Sequence, residues 1–289
     1  MTLDAFLDAA WNDHADRPRE VADRLAASLS TIGASDGVAP YARIVTHVFG
    51  EHLGEWERGV RLLESLRALP VFDDGPAASG AVARGIATLR YAGGDTSAAD
   101  ALPSDDRIAA VAAAAAAFAG RREHGRAIEA YARALSLAGP DLAPASPAHR
   151  ALAIGGNNLA IALEEKPDRD DAETRGMIAA AEAGVRHWTI AGTWLEEERA
   201  HYRLARSLLA AGRPRDATAS ARRCIDVCER NDAPAFERFF GHAALAIAHR
   251  ASGDAAAFDV TRRDALRWHE QVPESDRPWC AADLETIGR

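Results

Sequence analysis

Apolar residues recur at three- and four-residue steps along most of the chain, the period of a helix that buries one face. The clearest stretch runs from about Glu198 to Arg230. Tyr202, Leu204, Ala205, Leu208 and Leu209 belong to one helix that ends at Gly212. Ala217, Ala221, Cys224, Ile225 and Val227 mark a second helix, opened by Pro214 at a first-turn position where its missing N–H costs nothing. Nearer the start, the pattern predicts helices over Leu3 to His14, from near Pro18 to just before Gly33, over Tyr41 to Gly54, and over Trp56 to Leu69. Gly80 to Tyr91 reads as another. After it, Gly93-Gly94-Asp95 and Pro103-Ser104-Asp105-Asp106 leave room for only a very short partner helix. The stretch 70–106 is therefore a truncated helix pair and a bend, with a domain boundary as the alternative. Consistent period-two alternation, the mark of a half-buried strand, is absent.

The helix pairs repeat. In the clearest unit, Ala205, Gly212, Ala217 and Cys224 are spaced by 7, 5 and 7 residues. The same ladder recurs at Ala246, Gly253, Phe258 and Ala265, at Ala115, Arg122, Ala127 and Ala134, and at Ala160, Pro167, Ala172 and Ala179. A fainter copy is His47, Gly54, Gly59 and Leu66. Small residues at such positions let neighbouring helices approach closely, and glycine takes a turn conformation that a Cβ penalises.

This ladder resembles the tetratricopeptide repeat, with a small residue midway along the first helix, glycine at the turn and small residues early and late in the second. The landmarks at 115, 160, 205 and 246 step by 45, 45 and 41 residues, against about 34 in the standard repeat. Longer repeats of this kind resemble the kinesin light-chain branch, and Gly156-Asn157-Asn158-Leu159-Ala160 looks like the opening of one. The resemblance spans Tyr41 to Glu270 and is best from Arg107 onward. It implies an all-α fold, a right-handed α-solenoid of about six to seven helix pairs. Its expected parts are degenerate hairpins over 1–103, a regular array over 104–272 and a capping segment over 273–289, which contains Trp279 and Leu284, since a terminal repeat must shield its apolar face.

Composition agrees with close-packed helices. Only 6% of the 289 residues are aromatic, and about a quarter are alanine, the best intrinsic helix former. The net charge of −9 argues against a nucleic-acid partner, which demands a basic surface. The basic residues are nearly all arginine, with Lys166 the single lysine. Cys224, Cys228 and Cys280 form neither a disulfide framework nor a zinc pattern, as expected of reduced thiols in a cytoplasmic protein. The opening Met1-Thr2-Leu3-Asp4 is acidic and amphipathic, unlike a secretory signal. The longest apolar run, Ile108 to Gly120, is too short to span a bilayer, so no membrane partner is expected.

Catalytic and metal patterns are weak by the same criteria. His47, Glu51 and His52 invite comparison with zinc-protease helices, but five α-helical residues place the two histidines roughly 140° apart. His47 and Glu51 share a face and are expected to pair with each other, so no metal site is predicted. Cys224 and Cys228, at i and i+4, read as packed thiols. No nucleophile, base and orienting residue group together, no glycine-rich loop follows a strand, and neither enzyme activity nor a cofactor is expected.

The resemblance also implies a concave surface lined by the first helix of each pair. In that register the groove carries Asn157, Asn158, Ile161 and Glu164, then Arg199, Tyr202, Arg203 and Arg206, then Phe240, Ala243, Ile247 and Arg250. One form of the family grips a carboxylate at the end of a chaperone tail with an asparagine and two basic residues. Asn158, Arg199 and Arg203 match that half of the clamp, while Ala112 and Ala116 stand where the other half needs lysine and asparagine. The peptide-binding residues expected from this register are Asn157, Asn158, Arg199, Tyr202, Arg203, Arg206 and Arg250. The function expected is a non-enzymatic interaction module for a peptide or carboxylate-bearing protein segment, with an acidic partner favoured. The competing readings are a regulatory domain with a small ligand in a partly closed groove, and a self-assembling subunit with an apolar patch around Trp188 and Trp194.

Overall fold

The computed structural model describes residues 2–288. Met1, which opens the amphipathic start, and Arg289, which ends the expected cap, lie outside the described residues. Among the described residues there are fourteen α-helices and no strand. In chain order they are α1 (Leu3–Asp13), α2 (Pro18–Ala27), α3 (Val38–His47), α4 (Trp56–Leu66), α5 (Pro76–Ala92), α6 (Ser104–Gly120), α7 (His124–Ala138), α8 (Ala148–Glu164), α9 (Asp171–Ala191), α10 (Trp194–Ala210), α11 (Pro214–Arg230), α12 (Ala235–Ala251), α13 (Ala255–His269) and α14 (Ala281–Gly288). The architecture is all-α, built from helix pairs. No described helix is long and apolar enough to cross a membrane.

One turn recurs because one hydrogen bond recurs. After α6, α10 and α12, only three residues separate the helices, and the middle one is left-handed: Arg122 (φ 60°), Gly212 (φ 69°) and Gly253 (φ 77°). In each, the N–H of the third residue donates back across the turn: Glu123 to Phe118, Arg213 to Leu208 and Asp254 to His249, at 2.8–3.0 Å. This six-to-one bond is the Schellman closure that satisfies an orphan carbonyl at a helix end. Gly94 with Asp95, and Asp232 with Ala233, repeat it after α5 and α11. The glycine of the ladder is thus a conformational requirement, and Arg122 meets it against the steric preference of an L-residue.

The chain divides into two compact units, Met1–Gly155 and Gly156–Arg289, the division falling within α8. In the first, α1 to α5 close around a core that includes Phe6, Leu25, Ile44, Phe49, Leu63 and Leu89. Tyr41 is fully buried in it and donates its hydroxyl to the Leu25 carbonyl. At Gly59 an added Cβ would stand 2.5 Å from Leu89 and 2.8 Å from Phe49, so α4 sits on its neighbours closer than any other residue allows. The 93–103 stretch forms turns only, so the short second helix allowed for there is not formed.

Between α3 and α4 the chain departs from α geometry. Val48–Leu53 is a π-helical turn, closed by left-handed Gly54 (φ 65°). A π turn closes its hydrogen bonds from i to i+5, so residues five apart come to lie nearly one above the other. His47 and His52 therefore do not diverge as α geometry requires: their rings are 4.9 Å apart. The expected His47 to Glu51 pair is formed at 2.7 Å.

In the second unit, Ala205, Ala217, Cys224, Ala246 and Ala265 are all fully buried, as the ladder requires. At Gly241 a Cβ would meet Cys224 Sγ and Ile225 Cγ1 at 3.1 Å, which shows how closely α12 lies on α11. The ladder fails after Ala160. Ala172 and Ala179 are exposed, while Met177, Ala180 and Ala181 are buried. The cause is a six-residue connection, 165–170, in place of three, which ends in a capping box between Asp170 and Glu173 and rephases α9. Past α13, a 3-10 turn (Arg277–Cys280) and α14 cover the last pair, with Val272, Cys280 and Ile287 buried against Phe239 and Ala243.

Candidate functional site

The second unit holds a cleft of about 320 Å³ whose walls come from α8, α10, α12 and the turn before α14. Helical spacing sets its composition. Arg199, Tyr202 and Arg203 lie one turn apart on α10, and Phe236 and Phe240 lie one turn apart on α12. Ile161 and Asn157 do the same on α8, and Trp279 enters from the far end of the chain with 76% of its surface exposed. Tyr202 and Phe240 meet edge to face at 5.3 Å, as do Phe236 and Phe240 at 5.0 Å. Other clefts, one lined by Arg43, Arg84 and small residues and one by Trp56, Arg61 and Arg90, lack this grouped aromatic surface.

The arginines of this cleft are paired within the chain. Arg199 reaches Glu237 at 2.8 Å, Arg203 reaches Glu164 at 2.6 Å, and Arg206 is paired with Asp283 of α14. Glu164 also accepts from Ser207 Oγ at 2.5 Å, and Asp283 from Tyr202 Oη at 2.6 Å. Burial, with the Asp283 carboxylate next to it, pushes the Tyr202 hydroxyl well up, so it remains a phenol and a donor. The guanidinium most open to solvent is Arg199, whose side chain is 56% exposed.

One of the residues that line the cleft is a buried polar group. Glu198 is 1% exposed, and burial raises its carboxyl to about 7, offset in part by the thiol of Cys224, which donates to it at 2.8 Å. The neighbouring Cys228, burial and the Glu198 carboxylate push the Cys224 thiol well up, so it is a structural thiol and not a nucleophile.

Of the residues expected from the sequence, Asn157, Arg199, Tyr202 and Arg203 line the cleft together. Arg206 stands behind it, held by Asp283. Asn158 is exposed and does not line it, and Arg250 lies over the Phe258 ring at 5.5 Å, away from it. Trp188 is buried, which removes it from any exposed apolar patch. Phe236, Glu237 and Trp279 were not among the expected site residues. The i, i+4 pair of phenylalanines on α12 is the signal that marks Phe236, and Glu237 is simply its neighbour, whereas Trp279 reaches the cleft only because the chain folds back after α13.

No family model and no curated protein matches the chain. Among solved structures it is similar to a putative kinesin light chain with nearly identical TPR-like repeats from Podosopora anserina, at 15% identity and a TM-score of 0.49. That match covers 78% of this chain and 92% of the other. A point-substituted form of the same protein matches at 15% identity and 0.49, covering 79% and 92%.

Proposed function

We propose that the protein is a non-enzymatic interaction module that takes an extended peptide segment of a partner protein in the cleft of its second unit. An apolar side chain of the partner packs against Phe236, Phe240 and Trp279, and a carboxylate or backbone carbonyl beside it meets Arg199. The observation that carries this reading is Trp279: a large aromatic ring left 76% exposed at the mouth of a cleft already lined by aromatic rings. Tryptophan, tyrosine and arginine are the side chains most enriched at binding hot spots, and here they meet in one place. The ion pairs refine the acidic preference. Because Arg203 and Arg206 already hold carboxylates of their own chain, a ligand gains most at half-exposed Arg199, and affinity comes chiefly from apolar burial.

Selection of a displayed random-peptide library on the intact chain tests this. Enriched peptides should share an apolar anchor next to an acidic residue or a chain end. They should bind Trp279→Ala or Phe236→Ala at least about tenfold more weakly, the loss of roughly 1.4 kcal/mol expected of a hot-spot ring. Arg199→Ala should cost less and act mainly on the acidic peptides. Equal binding to parent and both aromatic variants, with helical content unchanged, removes the cleft from the function.

A further inference from the structure

In the first unit, three imidazoles on two separate pieces of chain face one another. His14 follows the last turn of α1, His47 ends α3 and His52 lies in the π turn. Their rings are mutually 4.8, 5.0 and 4.9 Å apart by centroid, and one nitrogen from each lies within 4.8 Å of the other two. His52 Nε2 and His47 Nε2 lie 3.2 Å apart in a hydrogen bond that a bound ion would replace. Two ligand nitrogens about 2.0–2.1 Å from a tetrahedral zinc stand about 3.3 Å apart, so this edge already has the spacing of a zinc site.

The outer nitrogens are assigned by their partners. His47 Nδ1 faces the Glu51 carboxylate at 2.7 Å, and His14 Nδ1 faces the Trp11 carbonyl. Both partners are acceptors, so each Nδ1 carries a proton, and in the neutral ring it is Nε2 that presents the lone pair. That is the outer arrangement found around metal-bound histidines, a carboxylate or carbonyl that fixes the ring and its tautomer. His47 and Glu51 retain 22% and 26% side-chain exposure, so the cluster is reachable from solvent.

We propose that His14, His47 and His52 form a three-histidine site for a divalent transition metal of the zinc class, with Glu51 and Trp11 O orienting the ligands. Zinc sites with three protein ligands leave the fourth position for water or an added ligand. Imidazole donors favour zinc, copper and nickel over magnesium or calcium. A bound ion would tie the end of α1 to the π turn. A second group, Glu198 with Cys224 and Cys228, is fully buried, and its thiol already donates to the carboxylate.

The test uses the full chain, stripped with chelator and titrated with Zn²⁺, with Co²⁺ as a spectroscopic probe. The expected result is one metal per chain and a four-coordinate cobalt spectrum without the charge-transfer band of a thiolate ligand. His14→Ala and His52→Ala should each weaken binding by more than about 100-fold, and Glu51→Gln by about 10–100-fold. The Cys224→Ser/Cys228→Ser variant should bind as the parent does. Failure of the folded parent to bind Zn²⁺ in stoichiometric excess overturns the proposal. So does binding unchanged in the histidine variants, or a thiolate band lost in the cysteine variant. Helical content is followed throughout. If a histidine variant unfolds, Glu51→Gln, which alters no ligand, decides the question.

Discussion

Tyr202 and Asp283 are 81 residues apart in sequence, and the phenol donates to the carboxylate at 2.6 Å. Arg206 holds the same carboxylate, which is 4% exposed in its side chain. This group fastens α14 to α10. Asp283→Asn keeps the shape and an acceptor for Tyr202 but removes the charge opposite Arg206. The expected loss is about 1.5–3 kcal/mol, the range for a hydrogen bond to a charged group. Urea denaturation measures it, and amide exchange should quicken over 281–288 while α3 to α5 are unaffected. An unchanged midpoint would mean that apolar contacts alone seat α14.

Glu198 gives stability a pH dependence whose direction follows from its burial. Its carboxyl rises from 4.5 to about 7 in the fold, with Cys224, Glu237 and Arg199 the groups that act on it. Between those values the folded chain holds a proton that the unfolded chain has released. This contribution is complete below about 4.5 and is lost as pH rises through 7, with a limiting slope of about 1.4 kcal/mol per pH unit. Glu198→Gln can still accept from the Cys224 thiol and does not titrate. Its urea midpoint should lose that share of the decline, and a slope equal to the parent's would show that Glu198 is ionised throughout.

Arg122 occupies a left-handed turn position that glycine fills at 212 and 253. Its side chain is exposed, so replacement loses no packing. Arg122→Gly should relieve about 1 kcal/mol of backbone strain, less the entropy that glycine adds to the unfolded chain. A small rise in melting temperature is expected, in contrast to the fall produced by Gly212→Ala.

How much of this was legible from residues alone varies from element to element. The pair α10 and α11 was readable because small residues, glycine and proline act locally, and Ala205, Gly212, Ala217 and Cys224 each do what their type dictates. Arg122 was readable only by register, since its residue type opposes its conformation. Ala172 and Ala179 misled because a longer connection changes the phase of a helix without changing its periodicity. In the cleft, α-helical spacing identified Arg199, Tyr202 and Arg203. It could not identify Trp279, Asp283 or the pairing of Arg206, which depend on a chain end folding back over 70 residues away. His47 and His52 were set apart by an angle calculated for an α-helix, and the π turn replaces that angle.

The π turn carries one residue more than an α turn over the same rise, which makes local chain length a free variable there. Loss of a single residue within 48–50 would let α3 run on as an ordinary helix. His47 and His52 would then be separated by four positions, the α-helical spacing that also places two side chains on one face. The histidine pair would survive the deletion, while Glu51 would move to i+3 from His47. Facing histidines can thus be written in two lengths of sequence, and a search for either spacing alone would pass over chains that share the same arrangement in space.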